Sequence, residues 1–501
     1  EPHRATTRSY AYIGMSVIDV TTGESYHHEA NSTPEDPSRA HDDLTRFLES
    51  FGPVEICVNW SSRVNPQDVL STYDGAALYM STNITPHNAK LSSQEAFLSL
   101  YFNDAPHLLL ENLGLERSPM ARIAYINMIE FCANHNPKLV TNLDRPTLWS
   151  GPNLVLDTSS LLQLNIMPAG ASSPSVYSLL ARGMQSPMGR RLLRTRLTDP
   201  IINKAELERR YDCISTMYKE VPAKHLSSIK GASNKVSLAS SVHESLKGIR
   251  DLERLQRKLT LGIITPAELY LLDSSYIKIE KLLTELAEWG HYEDLTAYRR
   301  TLHEFRESYI SVINMEAASA CTVTENMGQS IFKVGYNKII DDLALIISRC
   351  QSHCEQICQA LSDVITPGSS YCKYKENDDG CYFTLTKPQS KKLQAGLKDE
   401  LDVLCSGVGL DEIYTVTLTN IDSRNKSNDK LHVDVLDDLY RERQSALSQL
   451  RLESINLYHL LIQNMGRTLP TYISKVVAQL DLYCTMALFS ERHKYCRPEP
   501  R

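Results

Sequence analysis

The N-terminal part of the chain alternates between β-type and helical patterns of hydrophobic positions. The run AYIGMSVI, the turn-prone TTG and a second β-compatible run predict a pair of strands within residues 10–29. The segment HDDLTRFLESF has the spacing of an amphipathic helix, and GPVEICVN after it predicts a short buried strand. These elements predict a small α/β domain over residues 1–112.

Helical periodicity dominates after this domain. In SPMGRRLLRTRLTDP, residues 186–200, leucines at helical spacing predict a helix that ends at Asp199, because a residue before proline is disfavoured in the α region. A second run, LKGIRDLERLQRKLTLGIITPAEL, carries an apolar stripe that we expect to face the core. The stripe consists of Leu246, Ile249, Leu252, Leu255 and Leu259.

Two long helices are predicted on either side of a stretch of different character. Apolar positions from Phe332 through Tyr336 to Cys354 predict the first helix, and those from Leu436 to Leu461 predict a second of about thirty residues, or ~45 Å. Residues 366–433 hold turn signals and the alternating runs CYFTLT and IYTVTLTN, which are typical of strands. The predicted fold is therefore mainly α, with an N-terminal α/β domain and long helices that carry a small β-containing tip.

Composition narrows the class of protein only modestly. The 501 residues have a formal net charge of −7, which excludes a uniformly basic nucleic-acid coat, so any phosphate contacts must come from local clusters. No window approaches the ~18 apolar residues that a membrane span needs. The 12 cysteines are dispersed and never spaced as CxxC, which favours a reducing, intracellular compartment. Nuclear, mitochondrial and viral-factory locations all stay open.

Seven segments, in the expected order along the chain, resemble the MutS mismatch-repair family. The most specific is YSLLARGMQSPMGRRLLRTRLTDPIINKAELERRYDCI, residues 177–214, which is similar to the family's serine-leucine helix, its P-M-G-x-R-x-L-R turn and helix, and the helix that follows. The opening segment is most similar to the viral and organellar branch of the family. The other six segments are YIGMSVIDVTTG, NLVLDTSSLLQLNI, IRDLERLQRKLTLGIITPAEL, VGYNKIIDDL, DDGCYFTLTK and YCRP.

This resemblance implies a division of the chain into family domains. Residues 1–112 would form a connector-like α/β domain, and residues 113–365 the helical core and first lever. Residues 366–433 would form the clamp, and residues 434–501 the return lever and the rest of the core. We name residues 366–433 the clamp segment.

The resemblance also implies a function. The clamp and levers would embrace duplex or branched DNA in mismatch repair or recombination, and two protomers would form a homodimer or heterodimer. The sequence contains no G-x-x-x-x-G-K-[ST] motif, so we expect no ATPase or other enzyme activity and no cofactor in this chain. ATP and Mg²⁺ are expected only for a family ATPase domain that would follow HKYCRPEPR. The alternative is a MutS-derived structural subunit that serves as a scaffold in a larger, for example organellar, nucleoprotein assembly.

Basic residues of the clamp segment are the candidate DNA-backbone contacts. Ammonium and guanidinium groups at the end of a lever could meet duplex phosphates, although a solvated mixed surface explains the same residues. The candidates are Lys387, Lys391, Lys392, Lys398, Arg424, Lys426 and Lys430.

The core motif has a structural interpretation. Its arginines are expected to pair with carboxylates such as those of Asp199 and Glu206 and to join domains, with DNA contact as the less favoured option. The motif residues are Pro187, Gly189, Arg190, Arg191, Arg194 and Pro200.

Three cysteines recur at helical spacing near His353. Cys350, Cys354 and Cys358 would share one helix face, too far apart along a rigid helix to close a zinc shell. We therefore expect packing cysteines and no metal site. No catalytic constellation is predicted anywhere in the chain.

Overall fold

The structure is a computed structural model in which most of the chain is described. The predicted fold class is confirmed, because the described residues are mainly helical with a few small sheets. The described residues are 11–60, 77–81, 90–102, 108–141, 143–149, 154, 156, 158–168, 173–222, 235–288, 295–324, 330–377, 380–396, 400–406, 411–422 and 428–499.

The chain divides into two compact units. Unit 1 contains Glu1–Ile264, Leu271–Arg306 and Ile462–Arg501, and unit 2 contains Thr265–Tyr270 and Glu307–Leu461. Three helices have residues in both units, namely Pro266–Glu288, Leu295–Ile310 and Asp434–Arg467.

Unit 1 begins with the predicted strand pair. Strand β1 (Tyr12–Ile18) runs antiparallel to β2 (Ser25–Asn31), with Met15 opposite His28, and the short β5 (Thr147–Leu148) runs parallel to β2. The predicted helix is present as Arg39–Phe51. Both predictions are therefore confirmed.

The predicted burial of the next strand is wrong. Strand β3 (Glu55–Asn59) pairs in parallel with β4 (Ala77–Ser81), and the two form a separate sheet. Alternate residues of β3 are exposed, and 78% of the Val54 side chain is accessible. A short apolar run cannot by itself distinguish a buried strand from one that is covered on a single face.

Close packing joins β1 to the helix Pro119–His135. A Cβ atom on Gly14 would lie 2.1 Å from the Met120 carbonyl carbon, so only glycine allows this approach. The Glu29 carboxylate accepts hydrogen bonds from the backbone amides of Met120 and Ala121, at 2.6 and 3.0 Å. This carboxylate satisfies two of the amides that a helix N-terminus leaves unpaired.

The remaining secondary structure of unit 1 is mostly helical. Strands β6 (Glu220–Pro222) and β7 (Lys235–Ser237) form one small antiparallel pair. The other helices of this unit are Leu91–Leu98, Leu109–Asn112, Pro119–His135, the 3₁₀ helix Pro137–Val140, Thr158–Gln163, Val176–Ala181, Pro187–Thr198, Lys204–Thr216, Leu238–Ser245, Leu252–Thr260 and Tyr472–His493.

The predicted apolar stripe faces the core but is not continuous helix. Leu246, Ile249, Leu252 and Leu259 are all buried. Gly248, however, has a left-handed φ of +74°, and the Asp251 side chain caps a new helix that starts at the next residue. The stripe therefore runs across a turn between two helices.

The core motif lies where the helix Pro187–Thr198 packs against Tyr472–His493. Asp481 is fully buried, and its carboxylate accepts hydrogen bonds from the Gln185 amide at 3.0 Å and from the Ser186 amide and hydroxyl at 2.7 and 2.6 Å. Ser186 in turn caps the helix by accepting from the Gly189 amide at 3.0 Å. Pro187 occupies the first turn, where its missing N–H costs nothing.

The motif arginines have different environments. Arg191 forms two parallel hydrogen bonds with Asp251, at 2.9 and 2.6 Å, and also contacts Glu253. Both carboxylates raise the pKa of this guanidinium, against the opposing effect of burial. Arg190 donates to the Met184 carbonyl at 3.1 Å, whereas Arg194 is exposed.

One carboxylate suggested from the sequence, that of Glu206, pairs with arginines of its own helix, Lys204–Thr216. Glu206 pairs with Arg209 and Arg210, which lower its pKa to about 2. Pro200 follows the helix Pro187–Thr198, and its carbonyl oxygen accepts a hydrogen bond from the Leu154 amide at 2.7 Å.

Unit 2 is built around two long helices. The first long helix is Lys338–Ile365 and the second long helix is Asp434–Arg467, which continues into unit 1. Phe332 and Tyr336 precede the first helix, although the sequence pattern included them. The Asn337 side chain caps the helix by accepting from the amides of residues 339 and 340, so the helix cannot begin earlier.

The described parts of the clamp segment contain six strands and one helix. Strands β8 (Lys373–Asn377), β9 (Gly380–Thr386), β12 (Leu418–Asp422) and β13 (Asn428–Val433) form one sheet, in the order β12-β13-β9-β8. Strands β10 (Leu401–Cys405) and β11 (Glu412–Val416) form a separate antiparallel pair. The helix is Lys387–Gly396, and unit 2 also contains the short helix Met315–Ala320.

The three cysteines of the first long helix are buried in the apolar cluster under this sheet. Cys350, Cys354 and Cys358 pack there with Phe383 and Leu436. Burial raises the pKa of Cys350 to about 11 and that of Cys354 to about 12. Within the described residues, no three or more His, Cys, Asp or Glu side chains are grouped so that they could hold a metal ion.

None of the described helices combines the length and apolar character that crossing a lipid bilayer requires.

Candidate nucleic-acid interface

The four-stranded sheet of the clamp segment has one apolar face and one polar face. Alternate residues of β9 and β13 point into the apolar cluster, and Phe383, Leu385, Leu431 and Val433 are each at most 2% exposed. Because side chains alternate along a strand, the intervening residues must lie on the opposite face.

Strand register brings three lysines together on that opposite face. Lys373 of β8 lies opposite Thr384 of β9, and Thr384 lies opposite Lys430 of β13. Lys375 lies opposite Tyr382 in the same way. We call this surface the basic face and define it by Lys373, Lys375, Tyr382, Thr384, Lys430 and His432.

The Tyr382 ring lies between Lys430 and His432 on the basic face. The Lys430 Nζ atom lies 4.4 Å from the Tyr382 ring centroid, within the range of a cation–π contact. The His432 ring lies 6.1 Å from the same ring. Lys373 and Lys375 are exposed, so their ammonium groups can reach a ligand.

Carboxylates of these strands are kept away from the basic face. Glu376 of β8 forms an ion pair with Arg443 of the second long helix. Asp429 of β13 is 5% exposed on the cluster side. In the described parts of β8, β9 and β13, the outward positions therefore carry three lysines and no carboxylate.

Further ion pairs fix the two long helices to the clamp segment. Arg349 of the first long helix contacts Glu442 of the second and lies 3.4 Å from Glu412 of β11. The buried His353 Nδ1 lies 3.1 Å from the Tyr414 hydroxyl. These contacts join the first long helix to the second long helix and to strand β11.

The predicted DNA-contact residues are distributed over several places. Lys430 belongs to the basic face. Lys391 and Lys392 are exposed on the helix Lys387–Gly396, which buries Ser390 and Leu393.

Since Leu393 joins the apolar cluster, these two lysines lie on a different surface from the basic face. Lys387 is the first residue of the same helix and is partly buried. Lys398, Arg424 and Lys426 lie outside the described residues.

Lys373 and Lys375 are candidate interface residues that sequence reasoning missed. Their signal is the alternation K-Y-K in YCKYKEN, which has strand periodicity. Only the register with β9 and β13 shows that they share a face with Lys430.

The fold and its basic face define a mainly helical protein with two long helices that flank a small β-containing tip. Residues 158–487, about two thirds of the chain, match the family model of MutS domain III. The chain therefore belongs to the MutS family.

Individual relatives are distant but extensive in coverage. A mutS homologue of Acanthamoeba polyphaga mimivirus, described as a DNA mismatch repair protein, is 22% identical over 97% of this chain and 46% of its own length. The DNA mismatch repair protein MutS of Chlorobaculum parvum is 22% identical over 97% of this chain and 49% of its own length. The DNA mismatch repair protein MutS of Halothermothrix orenii is 22% identical over 66% of this chain and 34% of its own length. The chain thus spans less than half the length of each relative.

Proposed function

We propose that this chain is a DNA-binding part of a MutS-family protein and that the basic face of the clamp segment contacts the DNA backbone. The observation that carries the proposal is the segregation of charge on strands β8, β9 and β13; the fourth strand of the sheet, β12, places Asp422 opposite Lys430. Three lysines lie on the outward side of β8, β9 and β13, while Glu376 and Asp429 are held on the other side. The names of the relatives, which refer to DNA mismatch repair, favour DNA as the ligand.

Lysine is suited to contacts that ignore base sequence. Each ammonium group offers positive charge and several N–H donors to phosphate oxygens, and such contacts position a protein on DNA without reading bases. The overall charge of −7 would oppose an approach of DNA to most of the surface, so a local basic face would select the docking side. We therefore expect duplex and branched DNA to bind with similar backbone contacts.

The test is a salt series of binding to duplex, mismatched duplex and a four-way junction. If Lys373 and Lys375 each contact one phosphate, replacing both by alanine should lower the magnitude of the log-log salt slope by about 1.8, since each contact contributes ~0.9. Affinity should fall by a similar factor for matched and mismatched duplex, because the lost contacts carry no sequence information.

A matched control removes two exposed lysines of unit 2 outside the clamp segment. The double variant Lys333→Ala, Lys338→Ala removes the same charge, and it should leave the slope within about 0.3 of the wild-type value. Equal slopes for both double variants would contradict the assignment to the basic face. A third variant, Lys391→Ala with Lys392→Ala, measures whether the helix Lys387–Gly396 shares the contact.

We also propose that nucleotide binding and dimerisation use parts of the protein other than this chain. Support comes from the sequence, which has no phosphate-binding G-x-x-x-x-G-K-[ST] loop in its 501 residues. The rival proposal is a scaffold subunit in a nucleoprotein assembly. If the wild-type chain binds none of the three DNA substrates at 50 mM salt, the DNA-binding proposal fails and the scaffold remains.

A further inference from the structure

Two thiols meet where the first long helix leads into the clamp sheet. Cys358 lies in the last two turns of that helix, and Cys372 immediately precedes β8. Both are buried in the apolar cluster, at 9% and 3% exposure, and each thiol shifts the pKa of the other. All 12 cysteines of the chain are in the reduced form.

One serine holds the two cysteine backbones together. The Ser362 hydroxyl donates to the Cys358 carbonyl oxygen at 3.0 Å and accepts from the Cys372 amide at 2.9 Å. These bonds bring the carbonyl of one cysteine and the amide of the other to within about 6 Å. The cysteines are thus adjacent through the backbone, and their side chains share the apolar cluster.

Hydrogen bonds also hold the turn between the first long helix and β8 against the end of that helix. The Asp363 carboxylate accepts from the Gly368 amide at 2.9 Å, and the Gln359 side chain donates to the Ser369 carbonyl at 3.0 Å. Gly368 has a φ of +77°, which a side chain would disfavour. The turn therefore keeps Cys372 beside the helix instead of allowing it to swing away.

We propose that Cys358 and Cys372 form an intramolecular disulfide when the protein meets a peroxide. The two side chains share one buried cluster, and the backbone around them is held on both sides of the turn. The bond would close a loop of 15 residues, from 358 to 372.

Cys358 is the thiol that reacts first. The hydrogen bond from Cys372 lowers the pKa of Cys358, whereas the same bond and burial raise the pKa of Cys372. Burial raises the pKa of Cys354 and Cys381 to about 12, so these neighbours stay protonated. Because the thiolate is the nucleophile, the pair differs from the other cysteines of the cluster.

The chemistry proceeds in two balanced steps. The Cys358 thiolate attacks one oxygen of hydrogen peroxide, the O–O bond breaks, and a sulfenic acid and hydroxide form. The Cys372 sulfur then attacks the Cys358 sulfur, its thiol proton passes to the departing hydroxide, and water leaves. The hydroxide of the first step takes up the proton that Cys358 lost on ionisation, so in total two thiols lose two electrons and one peroxide is reduced to two waters.

The disulfide would tie the edge strand β8 to the first long helix. Strand β8 carries Lys373 and Lys375, so oxidation would stiffen one side of the basic face. This consequence for DNA binding rests on the proposed function, whereas formation of the disulfide does not.

The experiment is disulfide mapping on the full reduced chain. The chain is treated with hydrogen peroxide, remaining thiols are blocked with N-ethylmaleimide, and a protease specific for Asp and Glu cuts after Glu355, Asp363 and Glu376. Cys358 and Cys372 then fall in separate peptides, 356–363 and 364–376. We expect these two peptides to be the main cross-linked pair by mass spectrometry. Hydrogen exchange in residues 364–376 should also slow by roughly 10- to 100-fold, as closing a loop of this size constrains its opening.

Variants separate this pair from its neighbours. Cys358→Ala and Cys372→Ala should each abolish the cross-link, while Cys354→Ala, one turn earlier on the same helix face, should retain it. Should a variant fail to fold, the wild-type map decides alone. The proposal is overturned if peptides 356–363 and 364–376 stay separately alkylated, or if the main cross-link joins other cysteines of the cluster. None of these outcomes depends on DNA.

Discussion

Gly189 allows the core-motif helix to approach a buried carboxylate, and substituting it gives a prediction with a definite sign. A Cβ atom at this position would lie 2.4 Å from Asp481 Oδ2, 2.7 Å from Met184 Cε and 2.9 Å from Ser186 Oγ. Contacts this short cannot persist, so the carboxylate or the helix must move. Gly189→Ala should therefore destabilise unit 1.

Two opposing effects set the magnitude. Alanine is favoured over glycine within a helix by ~1 kcal/mol, which would stabilise the variant if space allowed. Displacing the Asp481 carboxylate weakens its bonds to the Ser186 amide and hydroxyl, at 2.7 and 2.6 Å, and a hydrogen bond to a charged group contributes ~1.5–3 kcal/mol. The loss of two such bonds exceeds the gain in propensity and leaves a net destabilisation of about 3 kcal/mol. Because the unfolding entropy is ~2.1 cal/mol/K per residue and unit 1 is large, the melting temperature should fall by roughly 4 °C.

Gly466→Ala is the matched control because it lies in a helix with room for a side chain. The nearest atoms to its added Cβ would be Thr260 Cα at 3.6 Å and the Leu259 carbonyl oxygen at 3.8 Å, which are ordinary contacts. Helix propensity should then act unopposed and stabilise unit 1 by up to ~1 kcal/mol. The assay is thermal unfolding together with hydrogen exchange over residues 185–198. If Gly189→Ala melts at or above the wild-type temperature, the close-approach argument is wrong.

Three further predictions concern other parts of the molecule. Burial lowers the pKa of His27, so the unfolded chain takes up a proton more readily than the folded chain, and stability should fall as the pH drops below about 6.5. His27→Gln should reduce this loss of stability in thermal unfolding measured between pH 8 and 5. Arg191→Ala should lower stability by about 1–2 kcal/mol in thermal or urea unfolding, since it leaves Asp251 and Glu253 without their bidentate partner, whereas the exposed Arg194→Ala should cost under ~0.5 kcal/mol. Isothermal calorimetry should detect no saturable ATP binding at micromolar concentration, and detection would contradict the proposal that nucleotide binds elsewhere.

Local pattern in the sequence was sufficient to identify the type of most elements. Period-2 alternation predicted the β1–β2 pair, and helical spacing predicted the second long helix, because burial of one face imposes a period along each element. Ordered motifs over most of the chain also indicated the MutS family. The pattern did not predict where these two helices begin, because apolar residues at helical spacing lie on both sides of the caps at Asn337 and Asp251.

Only the tertiary structure decided which side chains meet. The carboxylates that bind Arg191 lie about sixty residues further along the chain, and the one that receives the Ser186 amide lies nearly 300 residues away. Alternation alone assigns Lys373 and Lys375 to one side of a strand. Lys430 shares a face of the sheet with these two lysines only because β8 pairs with β9 and β9 pairs with β13. A local pattern records the surroundings of each element by itself, whereas a site is formed by register and packing between elements distant in sequence.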